Sequence, residues 1–220
     1  MPTTDAPPRV ICFDLGGVVV RICSGWAEGC AAAGLDVRTG AITPDSIDAK
    51  SSIVHDLTTG AIDGPGFFRA LTAGVNGLYS EAEFELVHRA WILGEYDGVA
   101  EIITTLRDHP ACTAACLSNT NHVHWAQLHG EGGAGYPAFH ALERKHASHL
   151  LRSAKPDEAI YRAFEEDLGA SGDEILFFDD RHENIVTADN IGWRAHQIDP
   201  AAETAPQIMA ALAANGISLS

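Results

Sequence analysis

Three short apolar runs punctuate the chain: Val10-Ile11-Cys12-Phe13, Ala114-Ala115-Cys116-Leu117 and Ile175-Leu176-Phe177-Phe178. None alternates apolar with polar positions, so each reads as a strand covered on both faces, as in a parallel sheet. Each also stops at polar residues: Asp14 before Leu15-Gly16-Gly17, then Ser118-Asn119, then Asp179-Asp180. Arg194 to Ile198 is a weaker candidate for a further strand. Helical patterns lie between. Val99, Ile102, Ile103 and Leu106 form one stripe, and Ile160, Phe164 and Leu168 another at spacing four. Pro156 suits a first helical position, Asp157 and Glu158 suit the positive end of the helix, and Gly169 ends it. From Asn184 to Asn190, Ile185 and Ala188 face inward and Gly192 closes the element. Strands alternating with helices of this length predict an α/β fold, a Rossmann-like doubly wound parallel sheet.

Residues 24–91 break that rhythm. They hold no convincing buried strand but several helix-compatible pieces, at 26–33, 46–57, 66–71 and 81–93. The simplest organisation is a catalytic core of residues 1–20 and 95–220 interrupted by an α-helical cap, residues 21–94. The glycine-rich stretch from Gly130 to Pro137 reads as a flexible surface loop, and no internal repeat is visible.

Composition narrows the function classes. The 220 residues are 46% apolar and 20% charged, which describes a globular protein. Fourteen Lys and Arg against thirty Asp and Glu give a net charge of −16, which disfavours nucleic-acid and anionic-membrane partners. No apolar stretch is long enough to span a bilayer, and the first residues lack the cationic and apolar segments of a secretory leader. Five cysteines without a CxxC pair, two of them (Cys12 and Cys116) inside apolar runs, indicate a reducing, cytoplasmic setting. Oligomeric state is not legible.

The chemistry is expected where open α/β sheets place ligands, at the carboxyl ends of the strands. There Asp14, Ser118-Asn119, Lys155-Pro156 and Asp179-Asp180 would assemble three carboxylates, a hydroxyl and an ammonium. Carboxylates crowded together need a cation, and an all-oxygen donor set suits Mg²⁺ with a substrate phosphate. The lysine and hydroxyl would bind oxygens of the transferring group, and an aspartate can attack phosphorus.

These blocks resemble the haloacid dehalogenase superfamily of hydrolases. Phe13-Asp14-Leu15-Gly16-Gly17-Val18-Val19 is similar to its first motif and Leu117-Ser118-Asn119-Thr120-Asn121 to its second. Ser148, Leu151 and Lys155-Pro156 are similar to its third, and Phe178-Asp179-Asp180 with Asn184-Ile185 to its fourth. Order and spacing agree over nearly the whole chain, and the helical insertion falls where the subgroup with a small α-helical cap carries it. The last three blocks look most like the branch containing α-D-glucose-1-phosphate phosphatases. The resemblance implies an Mg²⁺-dependent phosphatase acting on a small phosphorylated metabolite, plausibly a sugar phosphate, through an aspartyl-phosphate. It makes Asp14 the nucleophile and a metal ligand, and Gly16 a metal ligand through its carbonyl. Ser118 and Lys155 become the phosphate-binding pair and Asn119 a substrate-side contact. Asp180 becomes the principal metal ligand of the fourth motif, Asp179 a second ligand or its neighbour, and Asn184 their orienting partner.

One position departs from the pattern. Phosphatases of the superfamily usually carry a second aspartate, a general acid and base, where this chain has Gly16. Its loss can cost about 10²- to 10⁴-fold, although the sugar-phosphate branch resembles this chain in having glycine there. Two rivals follow. A 2-haloacid dehalogenase would use Asp14 on carbon without metal. It needs an arginine soon after the first motif, for which Arg21, seven residues on, lies too close, and the Asp179-Asp180 pair speaks against it. A catalytically retired fold would serve as a binding module. Blander roles exist for single residues: Asp14 as a turn residue, Ser118-Asn119 as helix caps, Lys155 as a solvated side chain. The histidines at 122, 124, 129, 140, 146 and 149 fit no zinc spacing and read as solvated. Trp125 reads as a packing residue, and so does Trp26, with the lining of a cap-side substrate pocket as its alternative.

Overall fold

The computed structural model describes residues 6–39, 52–133 and 135–219. The expected helical piece at 46–57 lies partly outside these. Strands β1 (Val10–Phe13), β4 (Thr113–Ser118), β5 (Arg144–Ala147), β6 (Ile175–Asp179) and β7 (Arg194–Gln197) form a five-stranded sheet in the order β5-β4-β1-β6-β7. All four pairings are parallel. The chain builds outward from β1 on one side and then on the other, so the order reverses at the central strand.

Both faces are covered, and the two-residue period of a strand assigns side chains to each. Ile11, Phe13, Ala114, Cys116, Leu176 and Phe178 pack against α5 (Val99–Arg107), α7 (Pro137–Ala141) and α11 (Thr204–Ala214). Val10, Cys12, Ala115, Leu117, Ile175 and Phe177 pack against α9 (Glu158–Leu168) and α10 (His182–Asn190). This two-sided burial is why the strands carry no polar alternation. The five cysteines are free thiols, and no helix among the described residues is long and apolar enough to cross a membrane.

A third cluster lies apart from the sheet. Cys30 on α1 (Trp26–Ala32), Leu57 on α2 (residues 52–58), Phe67, Phe68 and Leu71 on α3 (Gly64–Gly74), and Phe84 and Val87 on α4 (Glu81–Arg89) surround the fully buried Tyr79. Its hydroxyl donates to the Asp36 carbonyl and accepts from the Arg38 amide, at 3.1 and 2.7 Å. A capping box starts α4: the Glu83 amide donates to Ser80 Oγ while the Ser80 amide donates to Glu83 Oε2. Two short antiparallel strands, β2 (Val20–Ile22) and β3 (Ile92–Glu95), link this insertion to the sheet.

Four details differ from the sequence reading. Strand β5, Arg144-Lys145-His146-Ala147, was hidden by its polar composition, which suits a sheet edge. Leu93 belongs to β3 rather than to the helix ending at Arg89. Pro156 precedes the helix, whose N-cap is Asp157. The Gly130–Pro137 stretch is only partly a loop, because Tyr136 is buried and Pro137 opens α7, whose first amides, Ala138 and Phe139, donate to the Glu95 carboxylate.

Candidate active site

Asp14 follows the central strand directly, with its amide bonded to the Phe178 carbonyl at 2.8 Å. That bond sets it beside the ends of β6 and β4. Lys155 reaches between the carboxylates: its Nζ lies 2.6 Å from Asp179 Oδ2 and 3.1 Å from Asp14 Oδ1. The Lys155 and Asp179 side chains are wholly buried, and Asp14 keeps a 10% exposed edge. Asp179 is further held by the Arg181 amide at 2.8 Å and by Asn184 Nδ2, which lies 2.9 and 3.0 Å from its two oxygens. Asp179 therefore acts first as the anchor of the lysine.

Burial pushes the Asp14 carboxyl up to about 7, with Asp179 and Asp180 adding repulsion against the opposing pull of Lys155 and a hydrogen bond from Ser118. Burial by itself would lower the Lys155 ammonium, but Asp14 and Asp179 outweigh it and hold the charge. Asp180, half-buried, is raised by burial and then by Asp179. Asp14, Asp179 and Asp180 each offer an oxygen within 4.8 Å of the others. With all three ionised, as a bound cation would hold them, the carboxylates against one ammonium leave two negative charges, and an oxygen-rich cradle of that charge fits a divalent hard cation.

The loops around this cluster are specified by its neighbours. Gly17 has a left-handed φ of +77°, and a Cβ there would stand 2.8 Å from Asp180 Oδ2, so only glycine leaves room. Gly16 has no such constraint: its Cβ would meet only the flexible end of Ile22, at 3.1 Å. Asn119, expected at the substrate, grips the Lys155 backbone, donating to its carbonyl at 2.7 Å and accepting from its amide at 2.8 Å. Ser148, fully buried, similarly ties the Thr120 backbone through a donated and an accepted bond, both 3.0 Å. The N-cap of α6 (His122–Leu128) is Asn121, whose Oδ1 accepts from Val123 and His124.

Several histidines that read as solvated instead join the insertion to the core. His122 Nε2 accepts from the first amide of α3, Gly64, at 2.9 Å. His124 stacks on His88 with ring centres 4.0 Å apart and lies 2.8 Å from the His88 carbonyl through Nε2. His88 Nε2 lies 3.2 Å from Asn121 Oδ1, and Asn121 Nδ2 lies 3.3 Å from His124 Nδ1. Asn121 accepts at Oδ1 and donates at Nδ2, so both rings carry the proton on Nε2. Burial pushes them down to about 3 and about 4, keeping them neutral. His146 is buried against Asp167, whereas His129 and His140 are exposed. The sequence signal that could have located them is Asn121, a residue type suited to cap a helix starting at His122. Trp125 packs on the core as expected, and Trp26 packs on Tyr79 and Phe84 while also facing a cavity of about 610 Å³ between sheet and insertion. Arg21 is held away from the site by Glu203, at 2.9 and 3.0 Å, and by the Glu95 carbonyl at 3.0 Å.

A parallel sheet with its acids at the central crevice and a helical insertion after the first strand defines a class of hydrolases. The family model for haloacid dehalogenase-like hydrolases matches residues 8–192, and the chain belongs to that family. Among solved structures, a HAD family enzyme from Bacteroides thetaiotaomicron superposes with a TM-score of 0.77 at 18% identity, covering 92% of this chain and 99% of that one. The same enzyme is known in complex with magnesium and inorganic phosphate, with a TM-score of 0.70, 21% identity, and coverage of 86% and 93%. A predicted HAD-like family hydrolase from Porphyromonas gingivalis gives 0.73 at 24% identity, covering 94% and 98%. The L-2-haloacid dehalogenase from Xanthobacter autotrophicus gives 0.56 at 17%, covering 93% and 82%. No curated protein matches the chain's sequence. These likenesses establish the family and the fold and do not single out the sugar-phosphate branch.

Proposed function

We propose that the chain is an Mg²⁺-dependent phosphatase that hydrolyses a small phosphate monoester through an aspartyl-phosphate on Asp14. The observation that carries this reading is the Asp14–Lys155–Asp179 chain of contacts, with Asp180 beside it and two negative charges uncompensated. The Mg²⁺ and phosphate complex of the Bacteroides enzyme supports it, and the Asp179-Asp180 pair favours a metal over dehalogenation.

In this mechanism Asp14, Asp180 and the Gly16 carbonyl hold the metal, with Asp179 behind them as a further ligand or as their neighbour. The metal, when bound, neutralises carboxylates and phosphate oxygens so that an anion can approach an anion. The Asp14 oxygen attacks phosphorus as the ester P–O bond breaks, and the departing alkoxide takes a proton from solvent. Lys155 and Ser118 hold phosphate oxygens, neutralising charge as it develops. Water then cleaves the acyl phosphate, restoring Asp14 and releasing inorganic phosphate. Asn119 and Asn184 keep Lys155 and Asp179 in place, and residues 21–94 act as a cap over the leaving group.

Phosphate release from a generic aryl phosphate, with and without EDTA, tests the reading. Turnover abolished by EDTA and restored by Mg²⁺ is expected. Chloride release from a 2-haloacid without metal, and no phosphate release, would replace it by dehalogenation.

A further inference from the structure

The cavity between the sheet and the insertion opens beside the acid cluster at Leu15, Gly16 and Ser118. Its volume, about 610 Å³, lies inside the range of about 300–1,000 Å³ that small-molecule sites occupy. Interior packing tolerates few voids larger than one water, so this is not a packing defect. Away from the Ser118–Asn121 edge, most of its walls are hydrocarbon or aromatic, among them Trp26, Leu57, Phe67, Phe84, Val87 and Trp91. Among the described residues no Lys, Arg, Asp or Glu lines it.

The polar groups of these walls are largely spent. Both nitrogens of His124 and Nε2 of His88 are engaged within the cap–core contact. The Thr58 hydroxyl donates to the His55 carbonyl at 3.0 Å. The Trp26 indole N–H is itself buried without a partner and presents no surface to a ligand. A sugar would bring several hydroxyls to walls that cannot pair them, and each unpaired buried hydroxyl loses about tenfold in affinity or more. A second phosphate would meet no cation among the described residues.

Resting on the phosphatase reading, we infer that the leaving group is an apolar alcohol, aromatic or branched hydrocarbon, rather than a sugar or a nucleotide. Its body fills the space between Trp26, Phe84 and Trp91, while its single phosphate lies at Asp14 and Lys155. The apolar walls provide the binding energy.

The test compares two primary alkyl esters of similar leaving-group reactivity, 2-(1-naphthyl)ethyl phosphate and glucose 6-phosphate, with Mg²⁺ present. A kcat/KM at least about 100-fold higher for the naphthyl ester is expected, the scale of one buried aromatic group. Independently of hydrolysis, the free alcohol 2-(1-naphthyl)ethanol is titrated without Mg²⁺, followed by tryptophan fluorescence and calorimetry, with glucose as control. Saturable binding of the alcohol alone is expected, weakened several-fold by Val87→Thr, which keeps shape and adds a hydroxyl, and by Val54→Gln at a half-exposed wall position. Binding of the alcohol without hydrolysis of any ester would leave this assignment standing and remove the phosphatase reading. Failure of the alcohol to bind, or glucose 6-phosphate turned over as well as the naphthyl ester, would overturn the assignment itself.

Discussion

At the sheet side of the cleft, Asp179 accepts from Lys155, Asn184 and the Arg181 amide, and Lys155 also pairs with Asp14. Across the same cleft the helical insertion presents aromatic and aliphatic walls, with the neutral His88 on α4 stacked against the core's His124. The difference separates two tasks. The ends of β1, β4 and β6 fix charge in place for a reaction that depends on position, whereas the insertion sorts leaving groups by area and by the hydroxyls it cannot satisfy. Changes on the sheet side should therefore remove catalysis whatever the substrate, and changes on the insertion side should alter which substrate is used.

The largest expected effect is at Asp14. Asp14→Asn keeps size and removes the attacking charge, so turnover should fall at least about 10⁴-fold, the scale seen when the central group of a catalytic set is lost. Steady-state phosphate release measures the loss, and intact mass spectrometry during turnover should show a phosphorylated species only in the wild type. Residual activity within tenfold of the wild type would displace the nucleophile to another residue. Lys155→Met comes next. It strips two buried carboxylates of their partner, and breaking such a pair costs about 3–5 kcal/mol of stability. Chemical denaturation without Mg²⁺ should show this fall, and kcat/KM should drop with it.

The sheet side was readable in the sequence for a physical reason. Asp14, Ser118 and Asp179 each interrupt or end an apolar run, so the burial that makes β1, β4 and β6 visible also makes the polar residue after them conspicuous. Strand β5 was not readable, because an edge strand beginning with Arg144 and Lys145 needs no apolar run. Nor was the grip of Asn119 on Lys155, since that pair is separated by 36 positions and only the fold brings it together. The character of the cavity was hidden most completely. Its walls come from five helices, two short strands and the loops after β1 and β4, and most of the apolar residues taken singly look like ordinary helix packing.

A smaller effect distinguishes two adjacent glycines. Gly17→Ala forces a side chain into a left-handed backbone against Asp180 and should cost about 1–3 kcal/mol, seen as a lower denaturation midpoint. Gly16→Asp meets only the end of Ile22, so the fold should tolerate it. It supplies the proton donor this chain lacks, and rates on poor leaving groups should rise more than rates on p-nitrophenyl phosphate, within the 10²- to 10⁴-fold reach of general acid catalysis. Equal changes for both classes of ester would show that protonation of the leaving group is not what the glycine gives up.

The smallest expected effect concerns the joint between the two sides and appears on mild acidification. His88 and His124 are held by burial at about 3 and about 4 in the folded chain, against about 6.5 when unfolded. Both folded values are depressed, so between them and pH 6.5 the unfolded chain binds more protons, and stability falls as pH falls. At pH 6 each histidine should remove roughly 0.8 kcal/mol, a loss that deepens until the folded values are reached. Arg89 and His122, the neighbouring basic groups, oppose protonation further. Paired replacement by glutamine, His88→Gln with His124→Gln, keeps amide donors near the Nε2 positions but cannot titrate. Urea unfolding of wild type and the double variant from pH 7.5 to 5 should therefore show the steeper decline in the wild type. Parallel curves would mean that the stacked pair is hydrated enough to charge in place, and that the cap-side end of the cleft can become cationic after all.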